Sequence, residues 1–260
     1  MTTRAPAVAG LFYDADPNRL QHDIDRLLSN APDDSGLLPK VLIVPHAGLI
    51  YSGSTAAIAY KRLFVDRDQF RRVLLLGPAH RVFVSGMAIP AVDRFATPLG
   101  EIPLDRGGLD AIAALPAVEL SDAAHRDEHS LEVQLPFLQT VLDRFTLVPV
   151  LVGGADADQV AAVIDAFATD PRTLIVVSTD LSHFHEYEAA DRIDASTCER
   201  ILERSTTLRG EQACGARVLN GLLGATHIRD MDMRLLHRCN SGDTAGSRDR
   251  VVGYAAFELH

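Results

Sequence analysis

Four short runs of Val, Ile and Leu constrain this chain more than any other feature: VLIV at 41–44, VLLLG at 73–77, FTLVPVLVG at 145–153 and TLIVVS at 173–178. A strand with one face in water alternates apolar and polar residues, whereas these runs are apolar almost throughout. Strands built from them need both faces covered. Stretches with helical character lie between and after them. SGSTAAIAYKRLF offers Ser and Thr as caps ahead of an Ala-rich run, and residues 107–115 read as a short helix. HSLEVQLPFLQTVLDRF (129–145) is expected to be helical, with Pro136 kinking it or starting a new segment. ADADQVAAVIDAFATD (155–170) is a helix with acidic residues in its first turn, and further helices are expected at about 187–204 and 208–223. Residues 86–104 alternate weakly around Pro90, Pro98 and Pro103, which suggests short edge strands or a hairpin; later strands fall at about 230–238 and 250–259. The pattern predicts an α/β fold: a central, mostly parallel or mixed sheet with helices on both faces.

Composition narrows the function. At 260 residues the chain is long enough for a full core, and no linker or repeat divides it, so 1–260 reads as a single domain. Hydrophobic residues at 47% and charged residues at 23% fit a soluble globular protein. With 25 Lys and Arg against 35 Asp and Glu, the formal charge is −10 and no basic cluster forms, which argues against nucleic-acid binding. No apolar run approaches the roughly 18 residues of a membrane span. The N-terminal MTTRAPAVAGLFYDADP lacks the apolar centre of a signal peptide, and Cys198, Cys214 and Cys239 are too few for a disulfide framework. A reduced, cytoplasmic setting is the expectation.

In open α/β sheets ligands bind beyond the carboxyl ends of the strands, so the residues just past each run carry weight. His46 comes after the first, in VPHAGLIYSG; His80 after the second, in LLLGPAH; Asp180 and His183 after the fourth, in STDLSHF. Cys239 ends a late strand, RLLHRC. Imidazole, thiolate and carboxylate at successive strand ends are the usual ligands of zinc, iron or copper. Each also has an ordinary structural reading: a lone histidine after a strand is more often a hydrogen-bonding residue, Cys239 a small buried hydrophobe, and Asp180 a turn cap. No compact ligand spacing such as CxxC or HExxH is present. In DEHSLEVQLPF, Glu128 and Glu132 would share a helix face at i,i+4, and a solvated acidic face is the expectation for Glu132. His129, at the start of that helix, is placed to point into a cleft. Between His183 and His185, His183 is the candidate; His22, His227, His237 and His260 read as surface or structural.

Seven segments, AVAGLFYDADP, VPHAGLIYSG, LLLGPAH, EHSLEVQLPF, VPVLVG, STDLSHF and VVGYAAFEL, together resemble the Memo family in order and spacing, over nearly the whole chain. The resemblance implies a fold similar to class III extradiol dioxygenases and a mononuclear metal ion, iron foremost, with copper or zinc as alternatives. It implies metal-binding roles for His46, His80 and Cys239, the thiolate standing where the dioxygenases carry a carboxylate. His183 matches a catalytic acid/base histidine, with Asp180 in the same motif; His129, from its own place at the helix start, is a further catalytic candidate. Phe12 and Tyr51 match aromatic positions lining a cleft for a small-molecule or peptide ligand. The resemblance also implies a functional association with radical-SAM and AMMECR-type proteins. Three functions remain open: a metal-dependent oxidoreductase, a non-catalytic peptide- or ligand-binding module using the same cleft, and a zinc hydrolase. Around CGARVLNGLL (214–223) the family shows a proline that this chain lacks; that segment reads as structural.

Overall fold

The computed structural model describes residues 1–33 and 36–260. The N-terminal half contains β1 (Thr3–Arg4), α1 (Pro17–Asn30), β2 (Val41–Val44), α2 (Leu49–Lys61) and β3 (Arg72–Pro78). It continues through β4 (Met87–Ile89), β5 (Arg94–Thr97), β6 (Gly100–Pro103), α3 (Arg106–Ala113), β7 (Val118–Leu120) and α4 (Asp122–Arg126). The rest is α5 (Leu135–Val141), β8 (Thr146–Val152), α6 (Ala157–Ala168), β9 (Thr173–Ser178), β10 (His183–His185), α7 (Tyr187–Leu202), α8 (Ala216–Gly224), β11 (Met233–Asn240) and β12 (Val251–Leu259).

The main sheet has nine strands in the order β10-β12-β2-β9-β3-β8-β4-β7, with β11 pairing on β12. Its centre, β2, β9, β3 and β8, is parallel, and β12 and β4 flank it antiparallel. This is the mixed α/β sheet expected. Every residue of β2 and β9 is buried, as are all but the first of β3 and β8. Because successive side chains point to opposite faces, burial of both sets means both faces are covered. Helices α1, α2 and α5 pack on one another, with α2 against β2, β11 and β12; α6 packs on α8, and these two meet β9 and β3 respectively. The proline-punctuated stretch divides: β4 joins the main sheet, while β5 and β6 form a hairpin that pairs with β1 in a small second sheet. One core cluster runs from Val8 to Leu259. Burying a Leu or Val of β3 is worth about 1.5–3 kcal/mol, so these strands anchor the loops that leave them.

Local differences from the sequence reading have physical causes. α1 is an addition to the expected helices: Asp16 caps it through Asn18 and Arg19 N–H, Pro17 opens it, and Leu20, Ile24 and Leu28 form its buried stripe. Residues 127–131 are not helical: α4 ends at Arg126, a 3₁₀ turn covers Glu132–Gln134, and α5 starts at Leu135 with Pro136 in its first turn. The helix expected over 208–223 begins only at Ala216, behind Gly210 and the Cys214-Gly215 pair.

The expected solvated face at Glu132 is overturned. This side chain is fully buried and accepts hydrogen bonds from Arg4 (2.5 Å), Ala7 N (2.7 Å), Val8 N (3.0 Å) and Tyr13 Oη (2.5 Å). With 127–131 irregular, the i,i+4 argument does not apply. Glu132 instead fastens the N-terminal segment that carries Phe12. None of the described helices is long and apolar enough to cross a membrane.

Candidate metal centre

All four central parallel strands run the same way, so their carboxyl ends open on one edge. Register places Val44 of β2 beside Ser178 of β9, which brings the loops after them level. His46 N–H then donates to Asp180 Oδ1 at 2.7 Å, and Thr179 N–H to Val44 O at 2.8 Å. β3 lies on the other side of β9 and delivers His80. The irregular turn before α5 delivers His129.

These three histidines converge. His46, His80 and His129 can each offer one nitrogen such that all three atoms lie within 4.8 Å of one another. Their rings lie 5.3 Å (His46–His80), 5.5 Å (His46–His129) and 4.9 Å (His80–His129) apart between centroids.

The surrounding hydrogen bonds orient two of them. Ser178 Oγ donates to Ser130 O (2.6 Å) and accepts from Gln134 Nε2 (2.8 Å), so at 2.9 Å from His46 Nδ1 it acts as acceptor. His46 therefore carries its proton on Nδ1 and presents the lone pair of Nε2 to the cluster. Glu128 accepts from His80 N (2.5 Å) and faces His80 Nδ1 at 3.0 Å, which leaves Nε2 of His80 available in the same way. A histidine whose second nitrogen is held by a carboxylate or hydroxyl is the usual arrangement around a metal. Among the described residues, His129 Nδ1 is buried without a hydrogen-bond partner, although Glu128 Oε1 is 3.3 Å away.

Electrostatics favour neutral donors. Burial, reinforced by neighbouring histidines, lowers His46 to about 3 and His129 to about 4. Burial pushes Glu128 up, but His80 and Ser130 N–H donors outweigh it and hold the carboxylate down at about 2. Asp180 is raised chiefly by burial, against the opposing pull of His46 N–H and His183. Two neutral imidazoles, His46 and His129, beside a fixed carboxylate suit a divalent cation.

The structure does not bring Cys239 into this group. It lies on β11 opposite Tyr254, and its thiol is 3.1 Å from Thr55 Oγ1, which also contacts His237 Nδ1. Another thiol is closer: Cys214 Sγ lies 3.3 Å from His46 Nε2 and accepts Asp180 N–H at 3.3 Å. Because that nitrogen carries a lone pair, Cys214 is the donor to it. Burial raises Cys214 to about 12, keeping it protonated. The sequence alone marks Cys214 as structural and gives no weight to Ser178 or Gln134. The CG pair at the mouth of α8 is the sequence signal that points to Cys214; Ser178 and Gln134 reach the site through strand pairing and the turn before α5, which no local pattern shows.

His183 is half-buried on β10, close enough to His46 and Asp180 to act on both electrostatically. Its strand is irregular: the register with β12 shifts between His183 and His185, and Phe184 sits at φ 63°. Such a bulge re-aims the side chains beside it. Phe12 packs on His129 with ring centroids 4.9 Å apart, while Tyr51, in the first turn of α2, is 37% exposed.

Comparison with known proteins bears on what such a site belongs to. The family model described as Memo-like protein matches residues 4–258. A MEMO1 family protein of Aquifex aeolicus is 34% identical over 266 residues, covering 98% of each chain. The protein memo-1 homolog of Caenorhabditis elegans is 33% identical over 296 residues, covering 99% of this chain and 82% of that one. Among solved structures, an uncharacterized protein, JW3007, from Escherichia coli K12 superposes with a TM-score of 0.54 at 14% identity, over 84% of this chain and 99% of that one; this likeness concerns the fold alone. On a family match that spans nearly its full length, the chain belongs to the Memo family.

Proposed function

We propose that this chain, acting as one domain over 1–260, is a metal-dependent oxidoreductase whose ion is held by His46, His80 and His129. The observation that carries the reading is the convergence of three imidazoles from three separate loops, with ligand atoms within 4.8 Å of one another. Ser178 and Glu128 support it by orienting His46 and His80. A bound iron or copper ion would supply redox chemistry towards oxygen and an organic substrate.

The protein's own share is positional and protonic. Asp180 fixes the His46 backbone, and Phe12 closes one wall against His129. His183, outside the three-histidine group, is the residue to take a proton from substrate, since a general base must reach the substrate and not the ion. Fe(II)- or Cu-loaded protein should consume oxygen in the presence of an aromatic substrate or reductant, as read with an oxygen electrode. His183→Ala should keep its metal and lose the uptake; loss of metal instead would make His183 a ligand.

A second reading is favoured by the donor set. Three imidazoles with no thiolate or carboxylate among them also suit a catalytic zinc ion with an open fourth position, which would make the protein a hydrolase. Ester or amide hydrolysis by the zinc-loaded protein, without oxygen uptake under any loading, decides for that reading.

A further inference from the structure

Against His80, one of the three histidines, lies a cavity of about 360 Å³ to which the proposed metal chemistry assigns no ligand. His80 and Cys214 form part of its wall, so it reaches the cluster. Most of the remaining lining is apolar, including Phe83, Val84, Val152 and Val218. Phe83 is 88% exposed, a large apolar ring that the fold itself does not use. The volume is at the low end of ligand sites, roughly 300–1,000 Å³, which suits a small molecule better than a peptide.

One charged residue lines the cavity, Arg217, in the first turn of α8. Its Nη1 leans on the carbonyls of Ala155 (3.2 Å) and Gly154 (3.5 Å), at the end of β8. Among the described residues it pairs with no carboxylate, although Asp and Glu outnumber Lys and Arg in the chain by 35 to 25. A guanidinium held by two carbonyls keeps most of its five donors free, in the planar fork that matches a carboxylate. α8 adds the positive end of its dipole on the same side.

We propose that this cavity binds a small carboxylic acid with an aromatic or otherwise apolar body, its carboxylate on Arg217 and its opposite end towards His80. The inference rests on the reading of His80 as a metal ligand for what happens at that end. Recognition by Arg217 and the apolar wall is separate from it. A neutral analogue of the same shape keeps the apolar contacts and loses the charge-assisted pair.

The test is calorimetric titration of the full chain, with and without added zinc, using benzoate and its neutral isostere benzamide. Benzoate should bind at least about tenfold more tightly than benzamide, the effect of one hydrogen-bonded charge. Arg217→Ala, an exposed position, should abolish that preference, and Arg217→Lys should restore part of it. Phe83→Ser should weaken both ligands alike. Zinc binding, titrated separately, distinguishes the two claims. Zinc bound by a protein that shows no Arg217-dependent preference for benzoate overturns this inference and leaves the metal reading standing. Arg217-dependent benzoate binding by a chain that takes up neither zinc nor, in parallel titrations, iron(II) or copper upholds the cavity assignment and removes the metal reading.

Discussion

Glu128 binds His80 twice, accepting its backbone N–H at 2.5 Å and facing its ring Nδ1 at 3.0 Å. The same carboxylate accepts the N–H groups of His129 (2.9 Å) and Ser130 (3.0 Å), so one side chain sets the positions of two of the three converging histidines. Removing its charge should therefore act on the metal without touching a ligand. Glu128→Gln should weaken metal affinity by about 10–100-fold, the usual range for carboxylates that orient a ligating histidine. Competition against a chromophoric chelator measures it, and an unchanged affinity would refute the positioning role.

Glu132 makes a contrasting prediction. It pairs with Arg4 in a buried site and anchors Ala7, Val8 and Tyr13. Glu132→Ala leaves the Arg4 guanidinium buried and uncompensated, at a cost of about 3–5 kcal/mol. Urea unfolding should show a matching fall in midpoint. A loss below about 1 kcal/mol would mean that the N-terminal segment is held mainly by other contacts.

Asp194 should make stability depend on pH. Its Oδ1 accepts Ser182 N–H at 3.0 Å, its Oδ2 is buried without a partner among the described residues, and a Cβ on Gly253 would lie 1.8 Å from that oxygen. Burial pushes it up from 3.8 to about 6, with Ser182 and Arg238 opposing and Asp191 assisting. Between those two values the folded state holds the extra proton, so stability falls as pH rises and the full cost is present above about 6. The difference amounts to at most about 3 kcal/mol. Asp194→Asn should gain stability relative to the parent at pH 7 and almost none at pH 4. Thermal melts showing the same gap at both pH values would contradict this.

Cys239 offers a direct choice between resemblance and geometry. A serine there can keep the contact with Thr55, and the three-histidine group does not include it. Cys239→Ser should leave zinc stoichiometry and affinity within about twofold of the parent, equivalent to about 0.4 kcal/mol. A tenfold loss would return Cys239 to the ligand set that the resemblance implies.

The architecture is legible in the sequence because its strands are unusual: short apolar runs such as VLLL, bounded by turn residues, read as interior strands, and the parallel rule then directs attention to His46, His80 and Asp180. The part that is not legible is long-range. Nothing local says that Glu132 meets Arg4 across more than a hundred residues, or that Ser178 fixes the tautomer of His46. His129 is visible as a cleft residue. Its approach to His46 and His80 depends on an irregular turn that periodicity reads as helix. Cys214 is hidden for a similar reason, because the helix there starts later than its apolar pattern suggests.

The central claim is that His129 completes the site with His46 and His80. Metal titration of His129→Ala beside the parent chain tests it most directly. The parent should take up one ion per chain, and the variant should lose at least about tenfold in affinity while remaining folded by circular dichroism. Full retention of metal by His129→Ala would contradict the account.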